Sequence, residues 1–360
     1  MDMNSLRWEE KSYRALAVQL IEVDTGAVVR RGATQLRVEG ALAAHYVASL
    51  LGSIAGAPSA KAVVDSYPAP HRAAVSELLE QLIGHRFVVP VDGELPAADE
   101  TQEDVFYWQL GGDRARAARR LADRRFTVVG VNRIGIEVAA GLVAAGAGEV
   151  VVVDYPLLRN SSYADAEGAL LADKLPPAMP PPIAADKWSE ADAELDVIVA
   201  AADFGGLQAM RAWNELAVAS RCEFFPIVLQ DMVGYVGPLV VPGETACFEC
   251  FRARQNAVSA DPVASRLWES FAHDGQHVSP VHPVLAALTA NVALFELLKF
   301  YGGGLGIPQA GTVVDVRLTE GTMRTRRVLK IPRCSVCGGL NRRVARAIEF
   351  ESALTAEAAE

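Results

Sequence analysis

Four of the five cysteines fall into two pairs at Cys-x-x-Cys spacing, Cys247 with Cys250 and Cys334 with Cys337, the second followed by Gly338 and Gly339. A tetrahedral thiolate centre needs four sulfurs about 2.3 Å from one zinc ion, and two such knuckles deliver them in pairs. With no fifth candidate ligand, the expected site is closed and structural, a clip from the chain near 334 back to the segment near 247. The competing chemistry is redox exchange, which favours a pair at the start of a helix after a strand, and neither pair is expected there. Cys222 reads as a buried residue ahead of a strand, with an acyl-accepting thiol as the alternative. His273, His277 and His282 share a loop with proline and glycine, and a crossover loop suits their spacing better than a metal site.

Other candidates for chemistry surround a glycine turn. Gly130 and Gly135 bracket Val-Asn-Arg-Ile after the apolar run Phe126–Val129, and Asp154 closes the next apolar run about 20 positions on. Such turns bind phosphate where bare backbone lets N–H groups approach the oxygens at a helix N-terminus. Here the middle positions are Asn132 and Arg133, side chains expected to fill the space of a pyrophosphate. Gly135 has a packing role of its own to offer, close contact of helix and strand.

The chain that must position these residues has 360 residues, 51% hydrophobic and 22% charged, enough for two or three domains and a sizeable core. Lys plus Arg minus Asp plus Glu is 34 − 44 = −10, which argues against a broad grip on nucleic acid. No apolar run is expected to reach the ~18 residues of a membrane span, and the polar start does not read as a secretory signal. A cytoplasmic protein with reduced cysteines is expected.

The first ninety residues have their own logic. Strands are predicted at 15–22, 27–30 and 35–39, with a hairpin turn at Asp24-Thr25-Gly26. Helices are predicted at 41–54, 60–66 and 70–83, then a short strand at 86–90. This reads as a winged-helix-like module over 1–92. Residues 93–112 read as a linker, with an arginine-rich helix over 113–125 after it. A β-α-β unit over 126–154 opens a Rossmann-type domain over 113–340. Further strands are expected at 196–201 and 224–229 with a helix over 206–220 between them. A long apolar helix over 283–301, a hairpin of 312–318 with 325–331, and a helical tail over 341–360 complete the chain.

In order along the chain, VVGVNRIGIEVAAGLVAAGAGEVVVVD (128–154), AAD (201–203), CFEC (247–250), PVHPVLAALTANVALFELLKF (280–300) and PRCSVCGG (332–339) resemble the E1-like (ThiF/MoeB) superfamily. That resemblance implies an α/β fold and adenylation of a peptide or small-protein carboxylate with ATP–Mg²⁺. It places Asp154 at the ribose-binding acid and Asp203 at the metal-ligand aspartate. Against an active site, the asparagine expected after Asp203 is Phe204, and a second acid falls on Pro156. The basic segment is reduced to Arg159-Asn160-Ser161-Ser162, and Trp108 before Gln109 stands where an arginine is usual. The fused N-terminal module is similar to the recognition element of enzymes that modify ribosomal peptides, found in microcin-type adenylating enzymes and in partners of YcaO cyclodehydratases.

The resemblance therefore implies a zinc-bearing partner protein that binds a precursor's leader peptide, with a nucleotide site degenerate for ATP. The leader would add to the edge strand Gln35-Leu36-Arg37-Val38-Glu39 and pack on Val75, Leu78, Leu79 and Leu82 of the facing helix, residues that could equally be plain core. A homodimer is implied in the same way. The alternative is an active ATP-dependent enzyme of the microcin type using Asp154, Asp203 and Arg159. A DNA-binding winged helix is disfavoured, because Glu77 and Glu80 lie on its would-be recognition helix.

Overall fold

The computed structural model describes residues 9–54, 56–91, 101–189, 197–203, 206–270, 281–303 and 310–338. The chain divides into two compact units, with the boundary between Ala115 and Arg116. The tail over 341–360, residues 93–100, His273 and His277 lie outside the described residues.

In the first unit the single strand expected over 15–22 is two strands in different sheets. β1 (Tyr13–Ala15) and β2 (Gln19–Val23) are separated by Leu16-Ala17-Val18. The Leu16 N–H donates to the Phe87 carbonyl and so continues the pairing of β1 with the returning chain by one residue before β2 enters the other sheet. β2, β3 (Gly26–Arg31) and β4 (Thr34–Glu39) form an antiparallel sheet in that order, with β4 at one edge. Two-residue connections join them, and Gly32 at φ 56° supplies the positive φ of the tight turn before β4.

Helices α1 (Ala43–Ile54), α2 (Ala60–Asp65) and α3 (Arg72–Gly84) follow. Ser59 caps α2 by accepting the Ala62 N–H. On α3 the positions Val75, Leu79 and Leu82, at i, i+4 and i+7, point into the core with Val29, Val47, Leu50 and Phe87. β5 (Val88–Pro90) then returns to pair antiparallel with β1.

Residues 102–109, expected inside a linker, form the helix α4 (Gln102–Gln109). A capping box starts it: Thr101 Oγ1 accepts the Asp104 N–H while Asp104 accepts the Thr101 N–H. Trp108, which stands where the resemblance would put an arginine, belongs to the first unit's core, stacked on Phe87 and donating its indole N–H to the Arg86 carbonyl. The acidic composition that suggested a linker is also the composition of a helix N-terminus that favours negative charge. The basic helix α5 (Arg114–Ala122) follows.

The second unit is a twisted α/β sheet. β6 (Arg125–Val129), α6 (Arg133–Ala144) and β7 (Glu149–Asp154) make the β-α-β unit, and β8 (Ile183–Ala184) extends it. β9 (Val197–Ala202), α7 (Leu207–Ser220), β10 (Glu223–Gln230) and β11 (Val233–Val236) come next. Then come α8 (Phe248–Ala257), α9 (Pro262–Ser270), α10 (Pro283–Leu297) and the hairpin β12 (Thr312–Arg317) with β13 (Thr322–Arg327). The strand order is β13-β12-β11-β10-β9-β6-β7-β8, parallel from β10 to β8 and antiparallel beyond.

The helical stretch Pro283–Gly302 is long and apolar enough to cross a membrane, contrary to the expectation that no such run exists. It is instead a core helix: Leu285, Ala286, Ala290, Ala293 and Leu297 are buried in the cluster that also holds Val138 and Leu142 of α6. Gly141 makes the contact possible, since a Cβ there would sit 2.4 Å from Leu294.

Candidate functional sites

The four paired cysteines converge. All are buried, and their sulfurs lie within 4.8 Å of one another. The Sγ–Sγ separations are 3.9 Å for Cys247–Cys250, 3.6 Å for Cys247–Cys334 and 3.5 Å for Cys250–Cys337. A tetrahedron of sulfurs around one zinc has edges of about 3.8 Å, so the donor set fits the metal without rearrangement. The Ile331 N–H donates to Cys250 Sγ at 3.3 Å, as the outer partners of metal thiolates do. Hydrogen bonds from Cys247 and Cys337 pull the Cys250 thiol well below the ordinary range. Gly338 is required by the second knuckle, where a Cβ would fall 2.4 Å from the Cys334 carbonyl oxygen.

One expectation fails here. Cys247 is the N-cap of α8 and Cys250 lies in its first turn, so this pair does open a helix. The argument against redox exchange rests instead on the second pair standing close enough to complete a four-sulfur set. Cys222 is buried ahead of β10, beside the Tyr301–Glu223 hydrogen bond. His282 is spent as the N-cap of α10, its Nδ1 accepting the Val284 N–H.

The glycine turn lies after the central strand β6, with Asp154 ending β7 on one side and Asp203 following β9 on the other. That is the crevice where open α/β sheets bind ligands. Every polar group named for it already has a partner within the chain. Asn132 is fully buried: its Oδ1 accepts the Gly135 N–H at 3.0 Å, and its Nδ2 donates to the carbonyls of Leu158 and Ala201 at 2.8 and 2.6 Å. Asp203, 1% exposed, accepts the Arg133 N–H at 2.9 Å and the Asn160 amide at 3.1 Å. Burial pushes its carboxyl above the usual carboxylate range, against the pull of those hydrogen bonds. Asp154 is gripped by Arg159 in a two-point ion pair, Nε to Oδ1 at 2.7 Å and Nη2 to Oδ2 at 2.5 Å.

Of the two side chains expected to fill the phosphate space, only Asn132 turns into the fold. Arg133 pairs with Glu137 along the helix surface. Gly130, at φ 113°, and Gly135 hold the turn tight, because a Cβ on Gly135 would sit 2.1 Å from the Gly130 carbonyl oxygen. Two of the N–H groups at the start of α6, those of Arg133 and Gly135, are thus taken up by a carboxylate and an amide of the chain itself.

A third site lies wholly in the first unit. Between β4 and α3 runs a cleft of about 500 Å³, lined by Leu36, Val38, Ala43, Tyr46, Val75 and Leu78 among others. Arg37, Glu39 and Glu77 also border it, with His71 at the α3 N-terminus. The ladder fixes what the edge of β4 offers. The Gly40 N–H donates to the Thr25 carbonyl, so in the alternation of an antiparallel pair Thr34, Leu36 and Val38 bond to β3. Gln35, Arg37 and Glu39 direct their main-chain N–H and C=O groups away from β3, where no described strand follows.

Sequence reasoning named Gln35 to Glu39, Val75 and Leu78 for this place, and the structure brings all but Gln35 to the cleft. Leu79 and Leu82, expected on the same face, are fully buried in the unit's core and do not border it. The reason is helical phase: 75, 79 and 82 form the inward row, while 74, 78 and 81 form the row beside it. Tyr46 and His71 were missed. Their rings stack and the Tyr46 hydroxyl lies 2.5 Å from His71 Nδ1. Only their position at helix starts and turns in a small module hinted at them.

No protein-family model matches the sequence, and no curated protein matches it significantly. Solved structures do. The microcin C7 biosynthetic enzyme MccB in complex with N-formylated MccA aligns at a TM-score of 0.62 and 17% identity, over 91% of this chain and 99% of that one. E. coli MccB with AMPCPP and MccA aligns at 0.61 and 16%, over 91% and 99%. The heterocyclase TruD aligns at 0.58 and 16%, over 93% of this chain and 43% of that one. The chain has the fold of MccB across both its units.

Proposed function

We propose that this protein binds the leader segment of a ribosomally synthesised precursor peptide and presents the peptide to a separate YcaO-type cyclodehydratase for azol(in)e formation. The first unit is then a winged-helix-like recognition module and the second an E1-like scaffold, degenerate for ATP and closed by a structural zinc. The observation that carries this reading is the cleft beside β4, which, among the described residues, pairs an open apolar wall with an edge of main-chain groups that no strand takes up. An extended peptide satisfies both at once: its backbone continues the sheet and its alternate side chains enter the cleft. Holding a substrate there converts a bimolecular encounter with the modifying enzyme into a local one.

The glycine turn supports the second half of the reading. A nucleotide would have to displace Asn132, Asp203 and Arg159 from partners that are already good, so its binding energy would be consumed in breaking them. The zinc fits as a closed four-sulfur centre, held by Cys247, Cys250, Cys334 and Cys337, that ties the chain after β13 to α8. MccB is a peptide-handling enzyme by its complexes with MccA, and TruD is a heterocyclase more than half of whose chain lies outside the match. Both likenesses favour a role in peptide modification.

One observation favours a second reading. Asp203 stands beside the turn in the fold of an enzyme solved with AMPCPP. An adenylating enzyme built on Asp154, Asp203 and Arg159 would open the Asp154–Arg159 ion pair and the hydrogen bonds on Asp203 when ATP–Mg²⁺ enters.

Calorimetry on the zinc-loaded full chain separates the two. ATP–Mg²⁺ is titrated first, then a synthetic leader from a precursor encoded beside this gene. Micromolar leader binding with no ATP heat, and no peptide-dependent ATP–pyrophosphate exchange, is expected. ATP binding lost in Asp203→Ala would replace this reading with the enzymatic one.

A further inference from the structure

The opposite end of the second unit's sheet carries an unassigned feature. β13 is the terminal strand of the eight, exposed along Met323 to Arg327. In a chain of net charge −10, residues 322–333 hold Arg324, Arg326, Arg327, Lys330 and Arg333, five cations, and no acid. The Val328 N–H donates to the Gly311 carbonyl in register with the ladder. By alternation Thr322, Arg324 and Arg326 bond to β12, while Met323, Thr325 and Arg327 turn their main-chain groups outward. On one face the side chains of Arg324 and Arg326 stand two apart. Arg326 pairs with the buried Asp315 at 2.7 Å and keeps 48% of its side chain exposed.

We propose that the β13 edge is a docking site for an acidic extended segment of a partner protein, which adds as a ninth strand with carboxylates at alternate positions against Arg324 and Arg326. Arginines on an edge strand repel a second copy of the same strand, because like charges would then stand opposite one another. The same row selects a strand of opposite charge. Phosphate of a nucleic acid would match the cations but leave the outward N–H and C=O groups without a strand to pair with, so a peptide is the better fit. This site is separate from the β4 cleft and does not depend on the leader reading.

The test uses fluorescence anisotropy on the full chain with a labelled Val-Glu-Val-Glu-Val-Glu peptide. Its controls are the Lys-for-Glu peptide, the same Glu peptide with alternate amides N-methylated, and an oligothymidine. Thr325→Pro removes an outward N–H without touching the ladder, and Arg324→Glu reverses one exposed charge, so neither is expected to unfold the sheet. Circular dichroism melting checks that. The Glu peptide is expected to bind and to lose about tenfold or more in affinity with either variant, with no binding of the Lys or N-methylated peptides. Absence of binding by the Glu peptide overturns the proposal. So does binding that survives both Thr325→Pro and N-methylation, which would mean charge attraction alone, and so does equal or tighter binding of oligothymidine.

Discussion

The turn after β6 and the cleft beside β4 both begin as places where regular structure ends and leaves polar main-chain groups over, yet they treat those groups in opposite ways. At the turn, Asp203 and Asn132 take up the Arg133 and Gly135 N–H groups at the start of α6, and Arg159 neutralises Asp154. At the cleft, Gln35, Arg37 and Glu39 turn their main-chain groups outward, and apolar side chains line a space that no described residue fills. A ligand gains little where it must break bonds of equal quality, and gains most where it completes a ladder and covers apolar surface. On the proposed reading, the difference marks the cleft and not the turn as the place where a ligand binds.

The sharpest way to separate the two regions is to remove the proposed zinc centre at the four cysteines of the second unit. Replacing Cys334 and Cys337 together by alanine should abolish zinc, read by a colorimetric assay after denaturation. Structural zinc contributes on the order of 10 kcal/mol in small domains, so the second unit's thermal transition should collapse. Leader binding by the first unit, which has its own core, should persist at low temperature. An unchanged melting curve in a zinc-free variant would mean the four thiols do not hold the fold.

Emptying the turn comes next. Asn132→Ala removes the cap of α6 and leaves the buried carbonyls of Leu158 and Ala201 without their donor. A loss of about 2–4 kcal/mol in guanidinium unfolding is expected, with no ATP binding gained. A loss below about 1 kcal/mol together with new ATP affinity would break the comparison, since the turn would then be plugged but not held. Filling the cleft is the complementary step. Ala74→Trp, on the exposed row of α3, should weaken leader binding about tenfold or more at unchanged stability. Leu79→Ala should do the reverse, costing about 2–5 kcal/mol of stability while the folded protein keeps its leader affinity.

Leu79 and its neighbour Leu78 mark the limit of what the sequence discloses. Leu78 and Leu79 are adjacent leucines on one apolar helix, and composition cannot say which faces a partner; the angle of α3 on the sheet decides it. The cysteine spacing was legible because four thiols in two knuckles have few other uses, and the β-α-β pattern because buried parallel strands are long apolar runs. The break between β1 and β2 was hidden, since Ala15 to Glu22 has the propensity of one strand and only the return of β5 splits it. Thr101 and Asp104, read as part of an acidic linker, form the cap that starts α4. Asn132 was foreseen as an obstacle to phosphate. Its role as the residue that holds the turn together depends on carbonyls 26 and 69 positions away, beyond any local pattern.

The smallest expected effect concerns two aspartates, one in each unit, whose environments shift them in opposite directions. Burial opposes ionisation of Asp104, but hydrogen bonds from Arg114 and Thr101 outweigh it and hold the carboxyl down at about 2. A carboxyl lowered on folding adds stability that is present above its unfolded value near 4 and is lost as pH falls towards about 2. Asp203 is raised by burial, so its contribution is fullest when the group is protonated and declines as pH rises from the unfolded value through the raised one. The stability difference between wild type and Asp104→Asn should therefore grow with pH between about 2 and 4, to about 1 kcal/mol. The difference between wild type and Asp203→Asn should shrink as pH rises above about 4. Urea midpoints measured across the acid range give both slopes from one series. If the two differences run in the same direction, Asp203 is not the desolvated carboxylate that its hydrogen bonds and 1% exposure describe, and the turn is more open to water than the cleft comparison requires.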